Sequence, residues 1–503
     1  MHSRLLLISM AKLNKAFLSK NKLQEGLKGP VQGWDRLPEK VLQFGTGVLL
    51  RGLPDYFIDK ANQEGVFNGR IVVVKSTDRG GIREFAEQDS LYTLHSKGIE
   101  NGREVQRSRI ISSISRVLTA TEDWEKILHV AIKDELEVII SNTTEVGIVL
   151  DAKDDLKAKP PHSFPAKLTA LLYKRFLHFQ GNKNKGLVIL PTELVSDNGV
   201  KLKEAIVGLS KIHDLGEDFI AWINQANHIC NTLVDRIVPG KLSEEDRQRE
   251  EQQLGYVDDL AILAEPFRLW AIESDSDEVK RVLSFARVDK GMVIVPNIGK
   301  LKELKLRLLN GSHTFSCGLA LLCGFSTVKE AMRNEDFMLY IQHLLYEEII
   351  PAISGEGISE AEACDFAETV IDRFSNPFLD HSWKSIGFNY TSKLQMRTVA
   401  LIEKYARKKQ AAPHYMALGF AAYLLFMKDV DDDESSLRDL WKAYDPDQLV
   451  DKILSEQKLW NADLSLIPGF AEAVKAQLQL LLNNPALEVI RRMSDIQNSN
   501  KRF

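Results

Sequence analysis

The chain has 503 residues, 44% of them hydrophobic and 27% charged, and a net charge of −5. That is enough for two to four domains of ordinary soluble composition, with no electrostatic reason to expect nucleic acid or an anionic membrane as partner. The four cysteines, Cys230, Cys317, Cys323 and Cys364, form no Cys-x-x-Cys pair, which argues against a zinc knuckle or disulfide framework and for a reducing cytoplasm.

Residues 1–40 read as an N-terminal extension. The apolar run from Leu5 to Ile8 behind Arg4 is too short for a signal h-region, and Met10 is a candidate start. A short apolar run at residues 41–44 then ends in Gly45-Thr46-Gly47. A helical pattern follows through Leu49, Leu50, Leu53, Phe57 and Ala61, with Pro54 early, where a missing N–H costs least. Strand, Gly-x-Gly, helix is the phosphate-binding opening of a dinucleotide fold, because glycines let backbone N–H groups approach a pyrophosphate. Leu50 stands where that fingerprint has its third glycine, and a plain tight turn would also account for the two that remain. A second strand at residues 70–74 supplies the β-helix-β spacing the fold requires. It runs into Lys75-Ser-Thr-Asp78, where an acidic residue would read the ribose of NAD. Lys75 is either a solvated strand end or room for a 2′-phosphate.

Further strands are expected at residues 109–113, 136–140 and 186–190, with helices such as 122–131 and 166–179 between them. Alternation of this kind predicts a mostly parallel sheet covered on both faces. Two strand ends carry polar clusters, Ser141-Asn142-Thr143-Thr144-Glu145 and Pro191-Thr-Glu193 onward to Asp197-Asn198. Ligands of open α/β sheets bind at the carboxyl ends of strands, which makes both clusters site candidates, although turns alone explain such residues too. Asp235-Arg236 is a charged pair in an apolar context, and residues 292–295 read as a last strand.

From about residue 296 strand-like runs nearly vanish. Thr327 with Glu330 makes a capping box ahead of an amphipathic run to Ile350, and residues 359–374, 391–408, 415–427, 449–458 and 471–482 also read as helices. The apolar run 415–427 is too short for a membrane span and predicts a buried helix. The organisation is thus an extension (1–40), an α/β Rossmann-type N-terminal domain (41–295) and a mostly α-helical C-terminal domain (296–503).

At the start of that helical region lies Lys305-Leu-Arg-Leu-Leu-Asn310-Gly-Ser-His313. On an ideal helix Asn310 is about 140° and His313 about 80° from Lys305, so all three can serve one side. A lysine exchanges protons, an asparagine amide donates to an alkoxide, and a histidine orients either, which is equipment for interconverting an alcohol and a ketone without a metal. An amphipathic helix with a solvated Lys and a core His is the alternative. The histidines are scattered without metal-ligand spacing, and no Gly-x-Ser-x-Gly elbow is present.

Taken together, these segments resemble the long-chain polyol dehydrogenase family, which includes mannitol dehydrogenase. The likeness runs from about residue 40 to the C-terminal region. It rests on Gln43-Phe44-Gly45-x-Gly47-x-x-Leu50-Arg51, Ser141-Asn-Thr-Thr-Glu145, Pro165-Ala-Lys-Leu-Thr169, Thr232-Leu-Val-Asp235-Arg-Ile-Val238, Leu309-Asn310-Gly-x-His313-Thr314, Tyr346-Glu-Glu-Ile-Ile-Pro351 and Arg373-Phe-x-Asn376-Pro377. The resemblance implies metal-independent chemistry with NAD or NADP in a cleft between a Rossmann-type and a helical domain. By it Lys305 is the acid–base, Asn310 steadies the alkoxide and His313 orients substrate or lysine. It assigns NAD, as cofactor, to Phe44, Gly45, Thr46, Gly47, Leu50, Arg51, Lys75, Asp78, Ser141, Asn142, Thr143 and Glu145. The chain departs from the mannitol branch at Glu193-Leu194, where an Asp-Asn pair is usual. The second oxyanion donor is therefore left to Glu193, to Asn198 or to Asn310 alone.

The substrate implied is a small sugar acid, whose carboxylate needs a fixed cation. Arg373 is the first choice and Arg268 the second, with Asp235 and Asn376 on the substrate side. Another substrate of the same family and a non-catalytic NAD-binding sensor are the rival readings. Oligomeric state is open.

Overall fold

The structure is a computed structural model that describes residues 10–76, 81–143, 147–355, 357–430 and 437–500. The chain divides into two compact units, one of residues 1–97 and 105–298 and one of residues 98–104 and 299–503. Among the described residues no helix is long and apolar enough to cross a membrane.

Among the described residues twelve strands precede residue 296: β1 (Glu39–Phe44), β2 (Arg70–Lys75), β3 (Tyr92–Glu100), β4 (Arg103–Ile111), β5 (Ile114–Thr119), β6 (Val138–Ser141), β7 (Val188–Pro191), β8 (His228–Ile229), β9 (Thr232–Asp235), β10 (Ile262–Ala264), β11 (Leu269–Glu273) and β12 (Met292–Val295), the end of β3 and the start of β4 falling in the second unit. Six of them form one sheet in the order β5-β2-β1-β6-β7-β8, and every pairing in it is parallel. Numbered along the sheet's own crossovers, that is the 3-2-1-4-5-6 order of a doubly wound dinucleotide fold. Its inner strands are Val/Ile/Leu-rich because helices cover both faces. Their side chains divide between two hydrophobic cores, one on each face, with Val41, Val73 and Ile140 in one and Leu42, Val72 and Ile139 in the other.

The third strand of this order is residues 114–119, not the expected 109–113. Residues 103–111 instead form β4, which lies beside β3 in a separate three-stranded sheet with β10. Residues 10–38 also fold into this unit. The helix Lys15–Lys20 is capped by the Asn14 side chain, and Leu13 and Phe17 join Leu91, Ile110 and Tyr256 in a small core.

The second unit is helical, and no strand follows Val295 among the described residues. Its axis is the helix His414–Met427, apolar on every side and almost wholly buried, which packs against Ser312–Leu322 and Phe470–Asn483. The crossing with Ser312–Leu322 is close because both partners present glycine. A Cβ on Gly318 would stand 2.9 Å from Ala422 O, and one on Gly419 would stand 2.7 Å from Phe315 O. The expected capping box at Thr327 and Glu330 is present, and Ser359 with Glu362 forms a second one.

Candidate active site

In the first unit the reversal of strand order falls between β1 and β6, whose ends Phe44 and Ser141 are register partners. The chain leaves β1 through Gly45, which takes φ +129°. Its N–H donates to Val74 O at 2.9 Å. A Cβ there would lie 2.9 Å from Leu50 Cδ1 and 3.3 Å from Asn142 O, so Leu50, in the position of the missing third glycine, closes over the turn. Thr46 is half-buried. Gly47 is different: it caps the helix Val48–Gly52 with φ −63° and ψ 154°, and a Cβ on it would meet nothing within 4 Å. The open side of the turn is therefore the side on which backbone N–H groups can be approached. Arg51 turns inward. Its Nη1 donates to Leu260 O at 2.7 Å, and its guanidinium lies over the Phe85 and Tyr92 rings, which makes it an anchor beneath the turn.

The ends of β6 and β7 are laced together. Glu193 is 2% exposed and accepts from Ser141 Oγ at 3.2 Å and from Thr143 N at 2.9 Å. Asn142 Nδ2 donates to Thr192 O at 3.1 Å. Asn198 is also spoken for. Its amide donates to Pro191 O and Glu193 O, and its Oδ1 accepts from Gly199 N and Thr232 N. As an oxyanion donor Asn198 is thereby corrected to a framework residue, because its N–H groups hold three segments of backbone together. Lys75 is buried at the end of β2, while Asp78 and Glu145 lie outside the described residues.

Asp235 ends β9, buried and paired in register with Leu269. Arg268 lines a cleft of about 520 Å³ with Tyr56, Arg109 and Arg236, and no residue of the Gly45–Gly47 turn lines it. Nε and Nη2 of Arg268 both reach Asp289 Oδ2, at 2.9 and 2.8 Å. Burial opposes ionisation of Asp289, but Arg268, the Gly291 N–H and Lys60 outweigh it and hold the carboxyl below its usual range. Arg268 thus forms an ion pair with a buried carboxylate of its own chain.

In the second unit the helix Gly299–Leu304 continues into Ser312–Leu322 through a π-helical turn, Lys305–Gly311. A π turn closes i to i+5 where an α turn closes i to i+4. Lys305 and Asn310 are five apart, so the turn brings onto one face two residues that an ideal helix would set about 140° apart. The widened backbone is held by side chains. Thr314 Oγ1 donates to Asn310 O at 2.8 Å, and Ser312 Oγ donates to Leu309 O at 3.2 Å. Arg307 ties the turn to the helix Tyr390–Lys409 through Met396 O and Arg397 O. Glu303 accepts from Arg307 Nε at 3.0 Å and from Lys404 Nζ at 3.4 Å.

His313 is buried. It stacks on Phe374 with centroids 4.0 Å apart and meets His381 and Trp383 edge-on. Burial, with the charges of His381, Arg373 and Arg397 beside it, pushes its pKa well below the ordinary 6.5. It is neutral at physiological pH, and its Nε2 has no hydrogen-bond partner among the described residues. Arg373 and Asn376 are buried where the helix Glu360–Phe374 ends. Sequence reasoning missed His381, Lys393 and Arg397. A signal existed for the last: Tyr390, Leu394 and Leu401 are a buried stripe at helical spacing, and Arg397 falls on it.

Residues 39–283 match the mannitol dehydrogenase Rossmann domain and residues 297–482 the mannitol dehydrogenase C-terminal domain. The chain belongs to the mannitol dehydrogenase family. It is thereby an oxidoreductase acting on CH–OH groups, with a nicotinamide dinucleotide as cofactor. An altronate oxidoreductase of Bacillus subtilis is 38% identical over 464 residues, covering 91% of this chain and 95% of that one. One of Bacteroides thetaiotaomicron is 34% identical, covering 90% and 96%. Two solved members of the family share the fold. Pseudomonas fluorescens mannitol 2-dehydrogenase, in complex with NAD and D-mannitol, has a TM-score of 0.68 at 22% identity, covering 96% of this chain and 99% of that one. A substrate-free D-sorbitol dehydrogenase has 0.76 at 20%, covering 95% and 100%. The turn fits the family's cofactor: at Gly47 a Cβ would occupy the space on the open side of the backbone, where a pyrophosphate must approach.

Proposed function

We propose that the protein interconverts D-tagaturonate and D-altronate with NAD(H). The observation that carries the chemistry is the π turn that puts Lys305 and Asn310 on one face, with neutral His313 following on the same helix. The substrate is read from the altronate oxidoreductases that this chain matches along about nine tenths of its length.

Thr46 and Gly47 would hold the dinucleotide phosphates by backbone N–H groups, and Gly45, whose own N–H goes to Val74 O, would shape the turn. Phe44, Leu50, Arg51, Ser141, Asn142, Thr143 and Glu145 would shape its surroundings, and Lys75 and Asp78 would meet the ribose. When bound, the cofactor supplies the hydride in the reducing direction and takes it back in the other. Protonated Lys305 Nζ gives a proton to the oxygen of the former ketone, and the Asn310 amide N–H donates to the same oxygen as charge develops on it. His313, kept neutral, can accept from a substrate hydroxyl or from Lys305 and so fix their orientation. Arg373 and Asn376, at the end of the helix Glu360–Phe374, would hold the sugar acid. With Asn198 spent on the framework, Asn310 is the principal oxyanion donor.

The test is oxidation of NADH and NADPH on a panel of tagaturonate, fructuronate and fructose. NADH with tagaturonate should give the highest kcat/KM. A preference for NADPH would make Lys75 the 2′-phosphate partner, and a preference for fructose would overturn the sugar-acid reading. Lys305→Ala should lower turnover by about 10²–10⁴-fold while NADH titrates as in the wild type; near-normal turnover would remove the mechanism.

A further inference from the structure

We propose that Arg397 is the residue that reads the substrate carboxylate; the assignment rests on the sugar-acid reading above. The guanidinium is held at one corner only. Its Nη1 donates to Thr314 Oγ1 at 3.3 Å, and that hydroxyl donates onward to Asn310 O at 2.8 Å. One side chain therefore links Arg397 to the backbone of the oxyanion donor and to the residue next to His313.

Among the described residues the other edge of the guanidinium, Nε with Nη2, has no hydrogen-bond partner. Nε is buried without a hydrogen bond among the described residues. This is the edge that matches a carboxylate with two parallel N–H bonds. The same chain shows it in use: Arg116 grips Glu39 Oε1 through Nε at 2.8 Å and Oε2 through Nη2 at 2.9 Å. Arg397 presents the same fork with no carboxylate of the protein in it.

The surroundings point the same way. Lys393 lies four residues earlier on the same helix, and its Nζ donates to Ile386 O at 2.9 Å. Burial and the charge of Arg397 both push its pKa down, so the two cations face one another. Like charges at this spacing are unfavourable on a helix, and a half-buried guanidinium without a counter-charge is worse. Among the described residues neither has a carboxylate within ion-pair distance. Glu303, on the neighbouring helix, is engaged with Arg307 and Lys404. Asp380, the carboxylate next to His381, pairs with Lys329. The charges of Arg373 and Arg397 both reach His313. A fold that gathers positive charge beside its catalytic helix, and leaves the fork of one arginine open, is arranged for an anion that arrives with the substrate.

The experiment compares wild type with Arg397→Lys, which keeps the charge and volume but loses the fork, and Arg397→Gln, which loses both. Steady-state kinetics are run on tagaturonate and on fructose, with NADH titration and thermal unfolding on each protein. KM for tagaturonate should rise by about 30-fold or more in both variants, a larger loss than on fructose, with NADH affinity as in the wild type. If Arg397→Gln does not fold, Arg397→Lys carries the test. An unchanged KM for tagaturonate in Arg397→Lys overturns the assignment, and so does an equal loss on both substrates. A wild-type preference for fructose would instead remove the sugar-acid reading and this assignment with it.

Discussion

Replacing Gly47 by valine separates cofactor binding from folding, because the two glycines of the turn do different work. At Gly47 the backbone is at φ −63° and ψ 154°, a region open to any residue, and an added Cβ would touch nothing within 4 Å. The cost to the protein itself is a poorer helix cap, about 1 kcal/mol. The cost to the cofactor is larger. An isopropyl group on the open side of the turn would stand between backbone N–H groups and a pyrophosphate, and each hydrogen bond to a charged group contributes about 1.5–3 kcal/mol. Losing one or two, about 1.5–6 kcal/mol, weakens binding by roughly 10- to 10⁴-fold. NADH fluorescence titration gives the affinity and thermal unfolding gives the stability. Gly45→Ala is the contrast: at φ +129°, with Leu50 Cδ1 2.9 Å from the new Cβ, it should unfold earlier by about 1–3 kcal/mol. A Gly47→Val protein that binds NADH as tightly as wild type would refute the reasoning and put the phosphate loop elsewhere.

Asn198→Ala should lower stability by about 1–3 kcal/mol, since it leaves the buried Thr232 N–H without its acceptor and takes one donor each from Pro191 O and Glu193 O. A variant as stable as wild type but slow in turnover would restore Asn198 to the oxyanion site. Glu348 accepts from Tyr415 N at 2.8 Å and Met416 N at 2.7 Å, and burial, only partly offset by those donors, pushes it up to about 8 from an ordinary 4.5. A carboxyl raised on folding binds more protons in the native state, so its contribution is greatest below pH 4.5, falls as pH rises to about 8, and is flat above. The stability of wild type minus that of Glu348→Gln, from denaturant melts at pH 5 to 9, should therefore decline and then level; a difference that stays flat or rises would show the group ionised throughout.

The inner strands were legible because burial on both faces leaves an unbroken Val/Ile run, as in β2, where all six residues are buried. The sheet's edge was not. β5 carries Arg116 and Ser115 in mid-strand, where both bond to Glu39, and an edge strand that alternates in this way resembles a turn more than a core strand. The apolar pair Ile110-Ile111 nearby drew the expectation to residues 109–113 instead. In the sequence the candidate site stands out through residue types whose spacing carries chemistry, Gly45-x-Gly47 and Lys305 to His313. The roles of Asn198 and Arg268 were hidden because an amide or a guanidinium looks the same in sequence whether it faces a ligand or a carbonyl of its own chain.

The π turn explains why spacing alone undervalued the catalytic helix. An α-helix would set Lys305 and Asn310 about 140° apart, at the two limits of one side, and a reader of the sequence has only that geometry to apply. What selects the wider turn is side-chain chemistry at its edges. Ser312 and Thr314 take up the backbone carbonyls of Leu309 and Asn310, and Arg307 reaches across to two carbonyls of the helix Tyr390–Lys409. A second π turn, Leu344–Ile349, packs against the first. It carries the buried Glu348 to the first N–H groups of the helix His414–Met427. That helix crosses Ser312–Leu322 where Gly318 and Gly419 allow close approach. Each contact narrows the freedom of the Lys305–Gly311 turn from a different side. A π turn is a poorer hydrogen-bonding arrangement than the α turn it replaces, and it persists where tertiary contacts over-determine it. Its place in this chain coincides with the two residues proposed above to act on one oxygen.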